Sequence, residues 1–135
     1  MLCTYHYRLI KASWGIAVDI AAEAEPLPPV SENIKRVDKD LWLGIDIDGL
    51  SHSEHEYLAL GLRLVAEEIR KAKQISGPIL VRVLDLRFNP SDYQPEGLSG
   101  AIAGWAGQAF GFAVPDIPVT FDKQNNRYIF QFKGA

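Results

Sequence analysis

Two carboxylate-rich stretches hold the residue types from which a reaction could be built. Asp46 and Asp48 sit two apart, and the segment that follows them gathers His52, Glu54, His55 and Glu56. Two aspartates alternating on one strand face can work as general acid and base when burial drives their pKa values apart. Histidines with carboxylates can hold zinc or manganese. The two-histidine helical motif, however, sets its ligands four apart with a catalytic Glu beside the first, whereas His52 and His55 are three apart. In the plainer reading the aspartates are the polar side of an amphipathic strand, Glu54 and Glu56 favour the positive end of a helix, and the histidines are solvated. Cys3 stands outside any redox or nucleophile motif, no Gly-x-Ser-x-Gly elbow occurs, and residues 97–104 lack the Lys-Ser/Thr of a phosphate loop. The expectation is a chain without catalytic residues, metal or cofactor.

Hydrophobic period and turn chemistry define the elements that must position these groups. In residues 41–48, Leu41, Leu43, Ile45 and Ile47 alternate with Trp42, Gly44, Asp46 and Asp48, the period of a half-buried strand that Gly49 ends. A helix follows, because Leu58, Leu62, Val65, Ile69 and Ala72 recur at steps of three and four. Charged Glu67, Glu68, Arg70, Lys71 and Lys73 fall largely off that stripe. Ser51 with Glu54, or Ser53 with Glu56, has capping-box spacing at its start. The basic residues collect near its end, where they complement the helix dipole, and Gly77-Pro78 stops it. Residues 79–88 read as a strand, 89–95 as a turn-rich loop and 97–111 as a second helix. At the two ends of the chain, residues 4–10 with 16–24 and 119–122 with 127–132 read as hairpins, the latter turning through asparagines that tolerate positive φ. Between them, residues 25–37 carry Pro26, Pro28 and Pro29 and read as a loop. The expected fold is a single α+β domain over residues 1–135, a mixed or antiparallel sheet of about five to six strands packed against two helices.

Within the second helix, Gly97, Gly100, Gly104, Gly107 and Gly111 fall on one face. Each interior glycine costs about 0.8–1 kcal/mol relative to alanine, so close backbone approach to the sheet or to the first helix is expected to compensate. Leu98, Ile102, Trp105, Ala109 and Phe112 form the adjacent stripe for side-chain burial. The uncharged run from Gly97 to Pro115 also raises the possibility of a membrane helix with glycines as its pairing face. Ser99, Gln108 and the lack of flanking basic anchors oppose that.

Composition narrows the class of protein. With 47% hydrophobic and 23% charged residues the chain can order a core. A net charge of −3 offers no general attraction to phosphate backbones, so nucleic acid is a disfavoured partner. One cysteine permits no internal disulfide and residues 1–10 lack the apolar run of a secretory signal, which together predict a reducing cytoplasm.

Over residues 41–112 the segments LWLGIDIDG, EHEYLALGLRLVAEEI and GPILVRVLDLRFNPSDYQPEGLSGAIAGWAGQAF resemble domain IV of elongation factor G. That family has the ribosomal protein S5 domain 2-like fold. The resemblance implies strand, helix, strand, tip loop and helix in that order, with a tip loop that meets transfer RNA and the decoding centre. The matching loop here, Asn89 to Glu96, lacks the family's usual histidine and Asp-Ser-Ser run, and no GTP-binding loop is present.

The expected function is a non-catalytic protein-binding domain, a bacterial immunity protein that neutralises a basic toxin domain, with no membrane involved. Its expected partner-binding residues are Trp42, Asp46, Asp48, Asn89, Asp92, Tyr93 and Glu96, an acidic and aromatic surface suited to steering a basic partner. The alternative is a translation-associated module that binds RNA or the ribosome as elongation factor G domain IV does. Nothing in the residues predicts an oligomeric state.

Overall fold

Alternating exposure along Leu2–Ile10 marks β1 in the computed structural model, which describes residues 2–72 and 76–132. Cys3, Tyr5, Tyr7 and Leu9 face the core and Thr4, His6 and Arg8 face solvent. The chain turns back into β2 (Gly15–Pro26), where Ile16, Val18, Ile20, Ala22 and Ala24 are buried at every second position. This is the expected opening hairpin.

The segment expected to be loop throughout contains a strand. After the prolines, Ile34–Asp38 forms β3, antiparallel to β4 (Leu41–Ile45). Its two buried residues, Ile34 and Val37, are three apart because an irregularity between Arg36 and Asp38 interrupts the alternation. That bulge hides the period-2 signal.

Beyond β4 the chain enters α1 (His52–Leu64), started by the capping box of Ser51 and Glu54 rather than that of Ser53 and Glu56. The expected single helix is divided. Val65, with φ −114°, breaks it, and α2 (Ala66–Ala72) continues, so Leu58, Leu62, Val65 and Ile69 all remain buried across the break. Lys73 lies outside the described residues. The crossover delivers β5 (Ile79–Arg87) parallel to β4, and β5 also pairs antiparallel with β2. The resulting mixed sheet has the order β1-β2-β5-β4-β3, so the last of its strands in sequence is central in space. A shift of register between Ala21 and Ala22 leaves Leu84 as the extra residue of β5.

A 3-10 turn at Pro90–Asp92 leads to α3 (Gly97–Phe110). This helix is buried from Gly97 to Gly107 and packs on β1, β2 and α1. The glycine stripe faces the sheet, but at Gly97, Gly100 and Gly104 it makes room for side chains of β1 and β2 rather than for a close backbone approach. A β-carbon at residue 100 would stand 2.5 Å from the ring of Tyr7, one at residue 104 would collide with the ring of Tyr5, and one at residue 97 would come within 2.7 Å of Ile16. Gly111 is outside the helix and caps it at φ +79°. No described helix is long and apolar enough to cross a membrane.

The chain ends in a separate hairpin of β6 (Val119–Asp122) and β7 (Arg127–Phe130), with Asn126 at φ +53° in its turn. Tyr128 fixes the hairpin. Its fully buried ring meets Trp14 and Phe121 edge-on, while its hydroxyl donates to Trp14 O at 2.6 Å and accepts from Lys11 N–H at 2.9 Å. The architecture is α+β: a five-stranded mixed sheet and a two-stranded hairpin with three helices, the third arising from the break at Val65.

Candidate functional site

Because β4 and β5 run parallel, the segments that follow them leave the sheet at the same end. One carries Asp46 and Asp48 to the start of α1, and the other carries Asn89, Asp92, Tyr93 and Glu96 to the start of α3. Residues 45–56 and 88–96 contain six carboxylates and no Lys or Arg. Cations from neighbouring strands pair with three of them, Arg82 with Asp46, Lys35 with Glu56 and Arg127 with Glu96, which leaves Asp48, Glu54 and Asp92 as the acidic surplus.

Glu54 ties the two segments together. Its Oε1 accepts the N–H of Ser51 at 2.9 Å in the capping box, and its Oε2 accepts the Tyr93 hydroxyl at 2.5 Å. Burial pushes the Glu54 carboxyl up, but the hydrogen bonds from Ser51 and Tyr93 outweigh it and hold the pKa below the usual glutamate value. Tyr93 moves the opposite way: burial first, then the adjacent Glu54 carboxylate, raise its hydroxyl far above the ordinary tyrosine value. The Tyr93 ring also stacks on Phe88, with centroids 3.7 Å apart and planes 10° from parallel.

The rest of the loop is equally well held. Asn89 Oδ1 accepts from the Ser91 N–H at 3.1 Å and from the Ser91 hydroxyl at 2.9 Å, capping the 3-10 turn. Gln94 is buried, and its side-chain amide behaves as a strand neighbour to β7. Its Nε2 donates to Tyr128 O at 2.6 Å and its Oε1 accepts the Tyr128 N–H at 2.9 Å. Glu96 turns toward the same hairpin and pairs with Arg127 at 2.7 Å.

On the other segment, β4 ends at Ile45, sooner than the alternation predicts, although Asp46 N–H still donates to Val83 O at 2.9 Å. Asp46 then pairs with Arg82 at 3.3 Å, and Arg82 also reaches Glu25 at 3.0 Å. Asp48 is exposed.

Of the expected partner-binding residues, Asp46, Asp48, Asn89, Asp92 and Tyr93 thus share one end of the sheet. Glu96 is engaged with the C-terminal hairpin. Trp42 stands apart: it lies near the start of β4, cross-strand from Leu80 and Arg36, four residues and so about 13 Å from Asp46. Sequence reasoning passed over Phe88, Gln94 and Arg82 as parts of this end. A glutamine between an aromatic and a proline gives no local sign that it will pair with a strand 34 residues away.

The histidines lie on the flank of α1. His52 is 3.7 Å from Glu56, which also pairs with Lys35 at 3.3 Å, and both histidines are exposed. Lys35 holds the Glu56 carboxyl below its ordinary pKa. Beside them runs an open groove of about 450 Å³ floored by Leu43, Ile45 and Ala59. Among the described residues, no three His, Cys, Asp or Glu side chains converge on a metal-sized site.

The geometry provides Asp48 and Asp92, neither of them in an ion pair among the described residues, beside an aromatic stack on two hydrogen-bonded loops, an arrangement that can meet a cationic surface with little loss of backbone freedom. No protein-family model matches the chain, and no curated protein is significantly similar to it.

Proposed function

We propose that this chain is a non-catalytic protein-binding domain, a bacterial immunity protein that neutralises a cognate basic toxin by covering its active surface. The observation that carries this reading is the Tyr93–Glu54 hydrogen bond with its Phe88 stack, which locks the two acidic segments at one end of the sheet before any partner arrives. Preorganised loops avoid the ordering cost that weakens flexible binders, and their charge accelerates encounter with a basic partner. In this role Asp48 and Asp92 steer, Asp46 being paired with Arg82, and the aromatic pair supplies the buried anchor.

The test is protection. Cells producing the chain should survive expression of the toxic product of the adjacent gene, and the two purified proteins should bind. Replacing Asp48 and Asp92 together by lysine should weaken protection while the circular dichroism spectrum stays unchanged. Failure of the unaltered protein to bind or protect ends the proposal.

The order strand, helix, strand, tip loop and helix supports a second reading, a translation-associated module similar to elongation factor G domain IV. That reading requires binding to ribosomes or transfer RNA that weakens steeply with salt. The absence of Lys and Arg from residues 88–96 favours the protein partner.

A further inference from the structure

The two edges of the five-stranded sheet are built differently. β3 has five residues, is interrupted between Arg36 and Asp38, and shows Lys35 and Arg36 to solvent, features that discourage another strand from joining. β1 has nine residues in unbroken register with β2, contains neither proline nor lysine, and holds its one exposed arginine, Arg8, against Asp19 at 2.9 Å. At its two ends Leu2 is 65% and Ile10 76% exposed, more than any other large apolar side chain among the described residues.

Hydrogen bonding shows which backbone groups of β1 face outward. The Trp105 indole N–H donates to both Cys3 O at 3.1 Å and Ala22 O at 3.2 Å. Both oxygens can lie within reach of one donor only if Cys3 and Ala22 form the kind of antiparallel pair that exchanges hydrogen bonds, with both carbonyls between the strands. By alternation, Cys3, Tyr5, Tyr7 and Leu9 turn their backbone groups toward β2, while Leu2, Thr4, His6, Arg8 and Ile10 turn theirs to the open edge. Gln108 Nε2, donating to Thr4 O at 2.9 Å, marks one of these outward acceptors.

We propose that β1 pairs with β1 of a second copy of this chain, antiparallel about a two-fold axis at His6, joining two five-stranded sheets into one of ten. The strand reads alike in both directions from His6: tyrosine on each side, then Thr4 and Arg8, then Cys3 and Leu9, then Leu2 and Ile10. In this register each outward backbone pair meets another outward pair, at His6 with His6, at Thr4 with Arg8 and at Leu2 with Ile10. The exposed leucine of one copy covers the exposed isoleucine of the other on the solvent face, and Tyr5 meets Tyr7 on the helix face. Charge does not oppose the pairing, because Asp19 of the same chain holds His6 at 2.8 Å and Arg8 at 2.9 Å. Among the described residues, the exposed Gln108 side chain must release Thr4 O.

Sedimentation of the full chain should give twice its 15.0 kDa mass at concentrations on the order of 100 µM. His6→Pro removes the outward N–H at the axis and leaves the β2 ladder intact, and Ile10→Lys removes an exposed apolar contact without touching the core. Each should weaken the dimer roughly tenfold or more. His6→Cys should form an intermolecular disulfide on oxidation, since residues facing at the axis have Cα atoms about 5.5 Å apart. The natural Cys3, about 20 Å from its counterpart in this register, should not. A monomer at that concentration overturns the proposal, as does a folded dimer that resists Ile10→Lys or fails to cross-link at residue 6. Should His6→Pro fail to fold, the other two variants decide.

Discussion

Gly61 of α1 faces the backbone of Ser99 in α3 so closely that a β-carbon on residue 61 would stand 2.5 Å from the Ser99 carbonyl oxygen and 2.8 Å from its Cα. Ser99 also ties the helices by a polar contact, its hydroxyl donating to Tyr57 O at 2.6 Å. The obstacle is backbone and cannot swing aside. Gly61→Ala should therefore destabilise the protein by about 1–3 kcal/mol in urea unfolding, although alanine is the better helix former by about 1 kcal/mol. Gly100→Ala should cost less, because the atoms it meets are the far end of the partly buried Tyr7 side chain rather than backbone.

Removal of the Gln94 side chain would leave the N–H and carbonyl of the buried Tyr128 without partners. Gln94→Ala should cost about 2–3 kcal/mol. Its effect should centre on the C-terminal hairpin, seen as faster amide exchange at residues 127–130 than in the five-stranded sheet.

Tyr93→Phe keeps the stack on Phe88 but deletes the hydrogen bond to Glu54, and should cost about 1–2 kcal/mol at neutral pH. The pH dependence has a definite sign. The Glu54 pKa is lowered in the folded protein, so its contribution is present above the unfolded value of about 4.3 and is lost as pH falls through the folded value. Acid titration below about pH 5 should destabilise the unaltered protein more than Tyr93→Phe. Equal slopes in denaturant titrations across that window would refute this account.

Asp48→Lys and Asp92→Lys should slow association with a basic partner by about tenfold at low ionic strength, with little change in dissociation rate. The difference should shrink as salt is added, because exposed charges are screened over about 8–10 Å at physiological strength. Stopped-flow measurements at two salt concentrations distinguish this steering role from loss of a buried contact.

Most elements were legible wherever one period governed a whole segment. The alternation in β2, the 3-4 spacing of Leu58, Leu62, Val65 and Ile69, and the Ser51–Glu54 cap all survive in the structure. Two features escaped for local reasons. The bulge in β3 set its buried residues three apart, and Val65 ended α1 without leaving the core, so burial alone could not reveal the break. The glycines of α3 announced a close approach, but the tightest backbone contact belongs to Gly61, a lone glycine in a helix with no repeat to draw notice. At the acidic end the aspartates stood out by type and spacing. Their organisation depends on pairs such as Tyr93 with Glu54 and Gln94 with Tyr128, far apart along the chain and unmarked in its local pattern.

The position of β5 between β2 and β4 has a consequence for synthesis. The hairpins β1–β2 and β3–β4 each close from neighbouring residues, yet nothing joins them until the strand that separates them has been made. Translation of residues 46–78 takes roughly two to seven seconds, during which the nascent chain carries two ladders with bare inner flanks. A ribosomal pause in the helical crossover would prolong that interval, so codon choice there should govern yield more strongly than codon choice after residue 87.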